Sequence, residues 1–323
     1  MFAALLLARW GLNNHRIHFD TPFYKFGGFD EMRFNHDLTR KVTIDIQFDY
    51  GKEPHTLNMV IDANGNVAYE LTNSVGRRIS GWSINAVGPQ VKEIGMVLDK
   101  VWFITAIRRP VPLTAQIGVG TQTSQPIDPD GTNISSYLVN RWSDRDPKWE
   151  IAEEWLRMVD PGLKILKVPI TGMDTTVRTT RTGSGVTTDV SMSNQGAGIQ
   201  NALSIISALV FSPEGSTLIV EEPEAHLHPD AQQMLVDLTN KAVNEWGKQV
   251  ILITHSWEVI LPFFSDIGKW GSSRGASHPK ADSSKFSIST LARKKDDIQI
   301  SRTNLDELGK FSDARDSFKT LWG

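Results

Sequence analysis

Two adjacent glutamates at the end of a short apolar run are the most chemically informative feature of the sequence. Residues 217–229 read Thr-Leu-Ile-Val-Glu-Glu-Pro-Glu-Ala-His-Leu-His-Pro, so Glu221 and Glu222 directly follow a predicted strand. Successive strand residues point to opposite faces, which lets one carboxylate face a metal-phosphate group while the other faces an attacking water. Phosphoryl transfer needs one acid to hold Mg²⁺ through its water shell and one to orient or deprotonate the nucleophile. The alternative is a solvated acidic strand end.

A histidine follows the next predicted strand. Residues 250–253 are Val-Ile-Leu-Ile, and His255 lies in the Thr-His-Ser sequence that comes directly after them. A continuous apolar run is typical of a strand covered on both faces of a parallel sheet. Open α/β sheets bind ligands at the carboxyl ends of their strands. We therefore expect His255 and Glu222 to lie at the same edge of one sheet.

A glycine-rich segment precedes the helix that leads to the glutamates. It reads Ser193-Asn-Gln-Gly196-Ala-Gly198, and apolar residues recur at helical spacing after it. Such glycines let backbone N–H groups and a helix N-terminus face an anion. The alternative is an ordinary turn before a helix.

The elements around these residues predict an α/β fold. Helix, strand, helix and strand follow one another with short connections between residues 193 and 253, as in an α/β layer. Upstream, alternating apolar runs around an Ala-Asn-Gly-Asn turn at 63–66 predict an antiparallel β lobe. The other predicted elements are strands at 42–48, 57–61 and 67–71, a loop at 118–134, a helix at 149–158, a hairpin of 177–182 with 186–190, and a mobile loop at 267–285.

The composition is that of an ordinary globular protein. The 323 residues are 40% hydrophobic with a net charge of −3, which excludes a global basic field for nucleic acid. The absence of cysteine excludes disulfides and thiolate chemistry and fits a reducing cytoplasm. No apolar run approaches the roughly 20 residues that span a bilayer, so we expect no membrane partner.

The order of the motifs resembles the ABC-type ATPase heads of the SMC, RecF and OLD kind. The nearest resemblance is to AAA-type ATP-binding proteins of the OLD-like group. It implies a P-loop NTPase fold, with a mainly parallel core sheet, helices and an antiparallel β lobe, and it implies ATP and Mg²⁺ as cofactors. It is specific for residues 193–256 and looser elsewhere, for example at Trp102-Phe-Ile-Thr-Ala-Ile-Arg-Arg-Pro110.

The resemblance also assigns roles to residues. Glu221 matches the Walker B acid, which holds Mg²⁺ through water, and Glu222 matches the catalytic glutamate. His255 matches the switch histidine that contacts the γ-phosphate. Ser193, Gly196 and Gly198 match a degenerate signature motif, which in such heads completes the nucleotide site of a partner. Residues 225–229 match the D-loop, with His228 where transporters have Asp.

The resemblance implies one composite head over residues 1–323. Its parts are an N-terminal helix and antiparallel β lobe (1–110), a connecting helical and hairpin region (111–192), the signature, Walker B, D-loop and H-loop core (193–265), and a C-terminal segment (266–323). Such heads work as head-to-tail dimers. We therefore expect a homodimer, or a heterodimer with another ATPase head, and a possible nuclease or DNA partner.

The chain departs from this pattern in one respect. No Gly-x-x-x-x-Gly-Lys-Ser/Thr sequence, the loop that cradles phosphates in such ATPases, occurs in the 323 residues. Residues 1–10, an apolar helical stretch, resemble the helix that follows this loop. One explanation is that the chain was cut, or that its start was assigned at an internal Met, so that the loop precedes residue 1. The other is that the protein is an inactive regulatory or structural ATPase-like subunit that naturally lacks the loop. Coding DNA upstream of Met1 would distinguish the two.

A third hypothesis comes from another class of enzyme. His226 and His228 form a His-x-His pair, and two such imidazoles can bind one metal in a metal-dependent hydrolase. Only His255 and His278 follow them as further histidine ligands.

Overall fold

A computed structural model describes residues 41–50, 52–62, 64–81, 89–112, 115–116, 126–167, 170–171, 174–183, 186–260, 287–294 and 297–304. The predicted helix at 1–10 and the predicted loop at 267–285 lie outside these residues. The chain divides into two compact units, the first ending at Trp102 and the second beginning at Phe103. None of the helices in the described ranges is long and apolar enough to cross a membrane.

The first unit contains the predicted antiparallel lobe. Its sheet has the order β1 (Val42–Tyr50), β2 (Glu53–Ile61), β3 (Val67–Asn73) and β4 (Arg78–Gly81). Every second residue of β2 and β3 is buried, from His55 to Ile61 and from Val67 to Leu71, because alternate side chains share one face. The predicted turn between them is confirmed: the Asp62 carboxylate accepts the N–H groups of Asn64 and Asn66. Helix α1 (Pro89–Asp99), which the sequence patterns did not single out, precedes β5 (Val101–Ile104), and the division between the two units falls within this strand.

The second unit contains the remaining elements. In chain order they are β6 (Ala115–Gln116), α2 (Ile134–Ser143), α3 (Trp149–Val159), β7 (Leu163–Lys167), β8 (Ile170–Thr171), β9 (Asp174–Thr175), β10 (Arg178–Gly183), β11 (Val186–Ser191), α4 (Ala197–Phe211), β12 (Thr217–Glu221), α5 (Pro229–Glu245), β13 (Gln249–Ile253), α6 (Trp257–Ile260), β14 (Ser287–Lys294) and β15 (Asp297–Asn304). The predicted helix at 149–158 and the predicted hairpin at 177–190 are therefore present as α3 and as the antiparallel pair β10–β11. The small sheets have the orders β11-β10-β7 and β6-β9-β8, and β14 pairs with β15.

The α/β layer is built on a sheet with the order β13-β12-β5, in which β12 and β13 are parallel. Helix α4 contacts β12, α5 contacts β13, and α3, α4 and α5 contact one another. Every residue of α4 from Gln200 to Phe211 is buried. The α/β prediction is thus confirmed.

Strand β13 differs from its prediction. Its apolar residues 250–253 are half-buried, whereas the sequence predicted a strand covered on both faces. Among the described strands β13 stands at the edge of the sheet and pairs only with β12, so neighbouring strands and helices cover less of it.

A buried lysine anchors the far end of α4. The Lys248 ammonium donates to the carbonyl oxygens of Leu209 and Ser212 and to the Ser212 hydroxyl, the last two at 2.9 and 2.7 Å. The ammonium thereby provides donors for backbone carbonyls that the end of a helix leaves without partners. Burial, with a smaller contribution from Lys148, lowers the pKa of Lys248 to about 7. The turn before β13 is thereby fixed to the helix beside β12.

Candidate active site

The predicted acidic and histidine groups lie at one edge of the sheet. Parallel pairing places Glu221 opposite Ile253, the last residue of β13. The next amide continues this register, because the Glu222 N–H donates to the Ile253 carbonyl at 2.7 Å. His255 comes two residues later, so Glu221, Glu222 and His255 all belong to the two adjacent strand ends.

Glu221 is half-buried and attached to the segment after β5. Its Oε2 accepts the Ala106 N–H at 3.2 Å, and its backbone carbonyl accepts Arg108 Nη2 at 2.6 Å. No hydrogen bond from the described residues reaches its Oε1. A half-buried carboxylate held by one oxygen has the other available for a hydrated cation.

Glu222 is exposed and has a left-handed backbone, with a φ of 42°. This conformation costs a non-glycine residue about 1–2 kcal/mol. Hydrogen bonds hold it there: the Glu222 carbonyl accepts the Ala225 N–H at 3.0 Å and Arg108 Nη2 at 3.3 Å. The chain therefore leaves the strand direction at Glu222, and its carboxylate is open to solvent.

Arg108 belongs to this site, although the sequence reasoning did not name it as a candidate. Its Nη2 contacts the carbonyls of both Glu221 and Glu222. Burial lowers the pKa of Arg108 to about 10, although the nearby Glu224, Glu222 and Glu221 charges act in the opposite direction. Its Nε and Nη1 are buried without hydrogen-bond partners in the described part of the chain. The available signal was a basic residue just after an apolar strand, at the same edge as the glutamates.

Glu224 joins the two strand ends through its side chain. Its Oε1 accepts three donors from the turn after β13: the Thr254 hydroxyl at 2.8 Å, the His255 N–H at 3.0 Å and the Ser256 N–H at 3.1 Å. The sequence reasoning gave this residue no role of its own.

The two glycines predicted as signature residues have different surroundings. Gly196 is the exposed N-cap of α4, and a Cβ there would meet no atom within 4 Å. A Cβ on Gly198 would lie 2.4 Å from the His226 carbonyl oxygen. Gly198 therefore allows α4 to pack against the predicted D-loop, whereas Gly196 leaves the helix N-terminus open.

The segment before α4 is fixed from within. The hydroxyl oxygens of Ser193 and Ser191 are 2.8 Å apart. The Ser193 carbonyl accepts a hydrogen bond from Gln200 Nε2 at 3.3 Å. The same Gln200 nitrogen donates to Gln195 O at 2.8 Å. Asn201 Nδ2 donates to the Ala225 carbonyl at 3.1 Å and joins α4 to the D-loop.

The two D-loop histidines are exposed. His226 has a φ of 62°, and His228 is the N-cap of α5, where its Nδ1 accepts the Asp230 N–H at 3.3 Å. The structure thus gives His228 a capping contact and places His226 at a backbone bend. Within the described ranges, no group of three or more His, Cys, Asp or Glu side chains is arranged to hold a metal ion.

Comparison with known proteins gives a family match over part of the chain. Residues 138–260 match the family model described as an AAA ATPase domain. This range includes the glycine-rich segment, both glutamates and His255. The predicted resemblance to ABC-type and AAA ATP-binding proteins is confirmed over this segment.

Individual relatives cover this chain unevenly. The energy-coupling factor transporter ATP-binding protein EcfA2 of Spiroplasma kunkelii is 31% identical over 58 residues, which is 18% of this chain and 19% of that protein. The match therefore spans about a fifth of that relative's length.

Solved SMC heads are similar at low identity. A head bound to the C-winged helix domain of ScpA is 11% identical, with coverage of 81% of this chain and 77% of that chain and a TM-score of 0.42. The head from Thermotoga maritima is 11% identical, with coverage of 65% and 66% and a TM-score of 0.31. A head with an extended coiled coil, bound to the C-terminal domain of ScpA derived from Pyrococcus furiosus, is 9% identical, with coverage of 84% and 81% and a TM-score of 0.38.

Proposed function

We propose that this chain belongs to an ATP-hydrolysing head of the ABC and OLD-like kind. The observation that supports this most is the meeting of two strand ends, where the Glu222 N–H donates to Ile253 O at 2.7 Å. It puts two carboxylates and an imidazole-bearing turn at the edge where α/β sheets bind ligands. The match of residues 138–260 to an AAA ATPase domain supports the same class of reaction.

Glu221 and Glu222 have different roles in this proposal. Glu221 would hold Mg²⁺ through water, because its side chain is half-buried and fixed by the Ala106 N–H. Glu222 would orient or deprotonate the attacking water, because its carboxylate is exposed on a strained turn. Bound MgATP supplies the phosphoryl group and the positive charge that neutralises its oxygens.

The other predicted residues act on the phosphates. His255, exposed just after β13, would contact the γ-phosphate. Ser193, Gly196 and Gly198 would present the N-terminus of α4 to a nucleotide held by a partner head. The open surroundings of Gly196 fit this role, because its helix N–H groups and dipole favour an anion.

We also propose an oligomeric state, partners and a location for this head. The head would work as a head-to-tail homodimer, or as a heterodimer with another ATPase head. Its hydrolysis would drive a conformational change in a DNA-related or phage-defence assembly, with a nuclease or DNA as a further partner. A cytoplasmic location agrees with the absence of cysteine from the 323 residues.

A second candidate function is a regulatory ATPase-like subunit. The observation that favours it is the absence of Gly-x-x-x-x-Gly-Lys-Ser/Thr from the 323 residues. Such a subunit would offer its α4 N-terminus to the nucleotide of an intact head without turning over ATP itself.

The test is phosphate release from MgATP by the protein expressed from its own gene. Glu222→Gln should lower kcat by about 10²–10⁴-fold, the usual contribution of a general base, while ATP binding is retained. The matched control is Glu245→Gln, an exposed glutamate at the end of α5, and it should leave kcat unchanged. Equal turnover in wild type and Glu222→Gln would remove Glu222 from this role. A wild type that releases no phosphate but alters turnover by an added ATPase head would establish the second candidate.

A further inference from the structure

We infer that Glu224 is a positioning residue that fixes the His255 turn to the Glu222 turn. This inference rests on the proposed function for its catalytic consequence, but its structural part can be measured alone. Three donors from three consecutive residues converge on Glu224 Oε1 at 2.8, 3.0 and 3.1 Å. Two of these donors are the backbone N–H groups of His255 and Ser256, so the carboxylate determines where the main chain of the turn lies.

Glu224 itself is fixed in the first turn. The Ala225 N–H donates to Glu222 O, and the Leu227 N–H donates to Glu224 O, both at 3.0 Å. Its carboxylate therefore joins the backbone around Glu222 to the backbone around His255. Charge-assisted hydrogen bonds to a carboxylate are about twice as strong as neutral ones, so this side chain holds the turn more firmly than a neutral acceptor would.

The second oxygen of Glu224 has different surroundings. Its Oε2 is buried and has no hydrogen-bond partner among the residues that the structure describes. Arg108 Nη2 contacts the carbonyls of Glu221 and Glu222, and of the three nearby glutamates Glu224 opposes the lowering of the Arg108 pKa most strongly. Glu224 thus interacts electrostatically with Arg108, the group that holds the Glu222 backbone, while its other oxygen holds the His255 turn.

The first measurement is amide hydrogen exchange of residues 254–260 in the full chain. Glu224→Ala should speed exchange at His255 by up to about tenfold, the loss of one net hydrogen bond, and at Ser256 by less, because the Ser256 N–H also donates to Thr254 Oγ1 at 2.9 Å. The matched control is Glu258→Ala, because the Glu258 carboxylate also contacts this turn but, among the described residues, accepts the Ser256 hydroxyl at 2.9 Å and no backbone N–H. It should leave both amides protected. Unchanged exchange in Glu224→Ala would overturn the inference whatever the ATPase result.

The second measurement separates positioning from general stability. Glu224→Ala should lower kcat about 10–100-fold, as expected for a displaced catalytic group, and should lower it no further in a His255→Ala background. Additive losses would show that Glu224 does not act through His255. Glu224→Gln, which keeps an oxygen of the same reach, should restore most of the amide protection. If the alanine variant does not fold, Glu224→Asp, whose shorter side chain withdraws the carboxylate from the turn, should show the same faster exchange at His255. A wild type without ATPase activity would refute the proposed function, and exchange would then decide the inference.

Discussion

Gly198 and Gly196 provide the sharpest test of the packing of α4 against the D-loop. They lie two residues apart, but a Cβ at Gly198 would collide with a backbone atom, whereas one at Gly196 would meet none. A Cβ at Gly198 would lie 2.4 Å from the His226 carbonyl oxygen, about 1 Å closer than ordinary van der Waals contact. The atom that must move is backbone, and it belongs to the D-loop that Asn201 holds through Ala225 O. No rotation of a side chain can relieve the contact.

We expect Gly198→Ala to destabilise the protein by about 1–2 kcal/mol. Overpacking of this kind costs about 1–3 kcal/mol, and the better helix propensity of alanine returns at most about 1 kcal/mol. The melting temperature should fall by about 1–3 °C, since an unfolding entropy of about 2.1 cal/mol/K per residue makes 1 kcal/mol worth about 1.5 °C in a chain of 323 residues. Differential scanning calorimetry of the full chain measures this directly.

Gly196→Ser is the matched control. Serine is a preferred N-cap, and its Cβ at this position meets no atom within 4 Å, so the melting temperature should stay the same or rise slightly. The same variant should impair any ATP turnover that uses the N-terminus of α4, because the added side chain occupies its open surface. The packing argument would be refuted if Gly198→Ala had the same melting temperature as the wild type or as Gly196→Ser.

Two further predictions concern the basic residues. Arg108→Lys should lower kcat at least about tenfold with a smaller change in KM, because a lysine cannot reproduce the planar guanidinium contact with the carbonyls of Glu221 and Glu222. The measurement is steady-state kinetics, and the control is Arg109→Lys, an exposed neighbour paired with Asp130. Equal kinetics of the two variants would contradict the prediction. Lys248→Met should destabilise the fold by about 1–3 kcal/mol, because buried acceptors at Leu209 and Ser212 lose their donor. The pKa of Lys248 is about 7 in the folded protein, below its ordinary 10.5. Between these two pH values the folded protein binds fewer protons than the unfolded chain. The free energy of unfolding of the wild type therefore increases with pH in this range. Urea denaturation at pH 6 to 9 should therefore show a gap between wild type and Lys248→Met that widens with pH, and a constant gap would show that Lys248 does not titrate in this range.

The sequence predicted the elements whose signals are local. Alternating apolar residues in β2 and β3 and the Asn-Gly turn between them are short-range patterns, and the structure contains them at those places. The same holds for β12 and β13, whose apolar runs end in Glu221 and just before His255. Parallel pairing of two such strands then follows from the helix between them, so the meeting of the acidic and histidine segments was predictable.

Burial of β13 was not predictable from its residues. A run of four apolar side chains is the same in a central strand and in a strand with one neighbour. Its half-buried state depends on which strands and helices lie beside it, and this is a property of the assembled sheet.

By itself, the sequence determined an α/β layer with a carboxylate pair and a histidine at one sheet edge. Only the tertiary structure decided how those groups are held. Arg108 is more than a hundred residues from Glu221 in the chain, and its contact with the glutamate carbonyls has no local signature. The three donors on Glu224 and the approach of Gly198 to His226 O likewise depend on separate segments meeting. Periodicity reports which face of an element is buried, but the atom that a given side chain meets is fixed only when the elements pack.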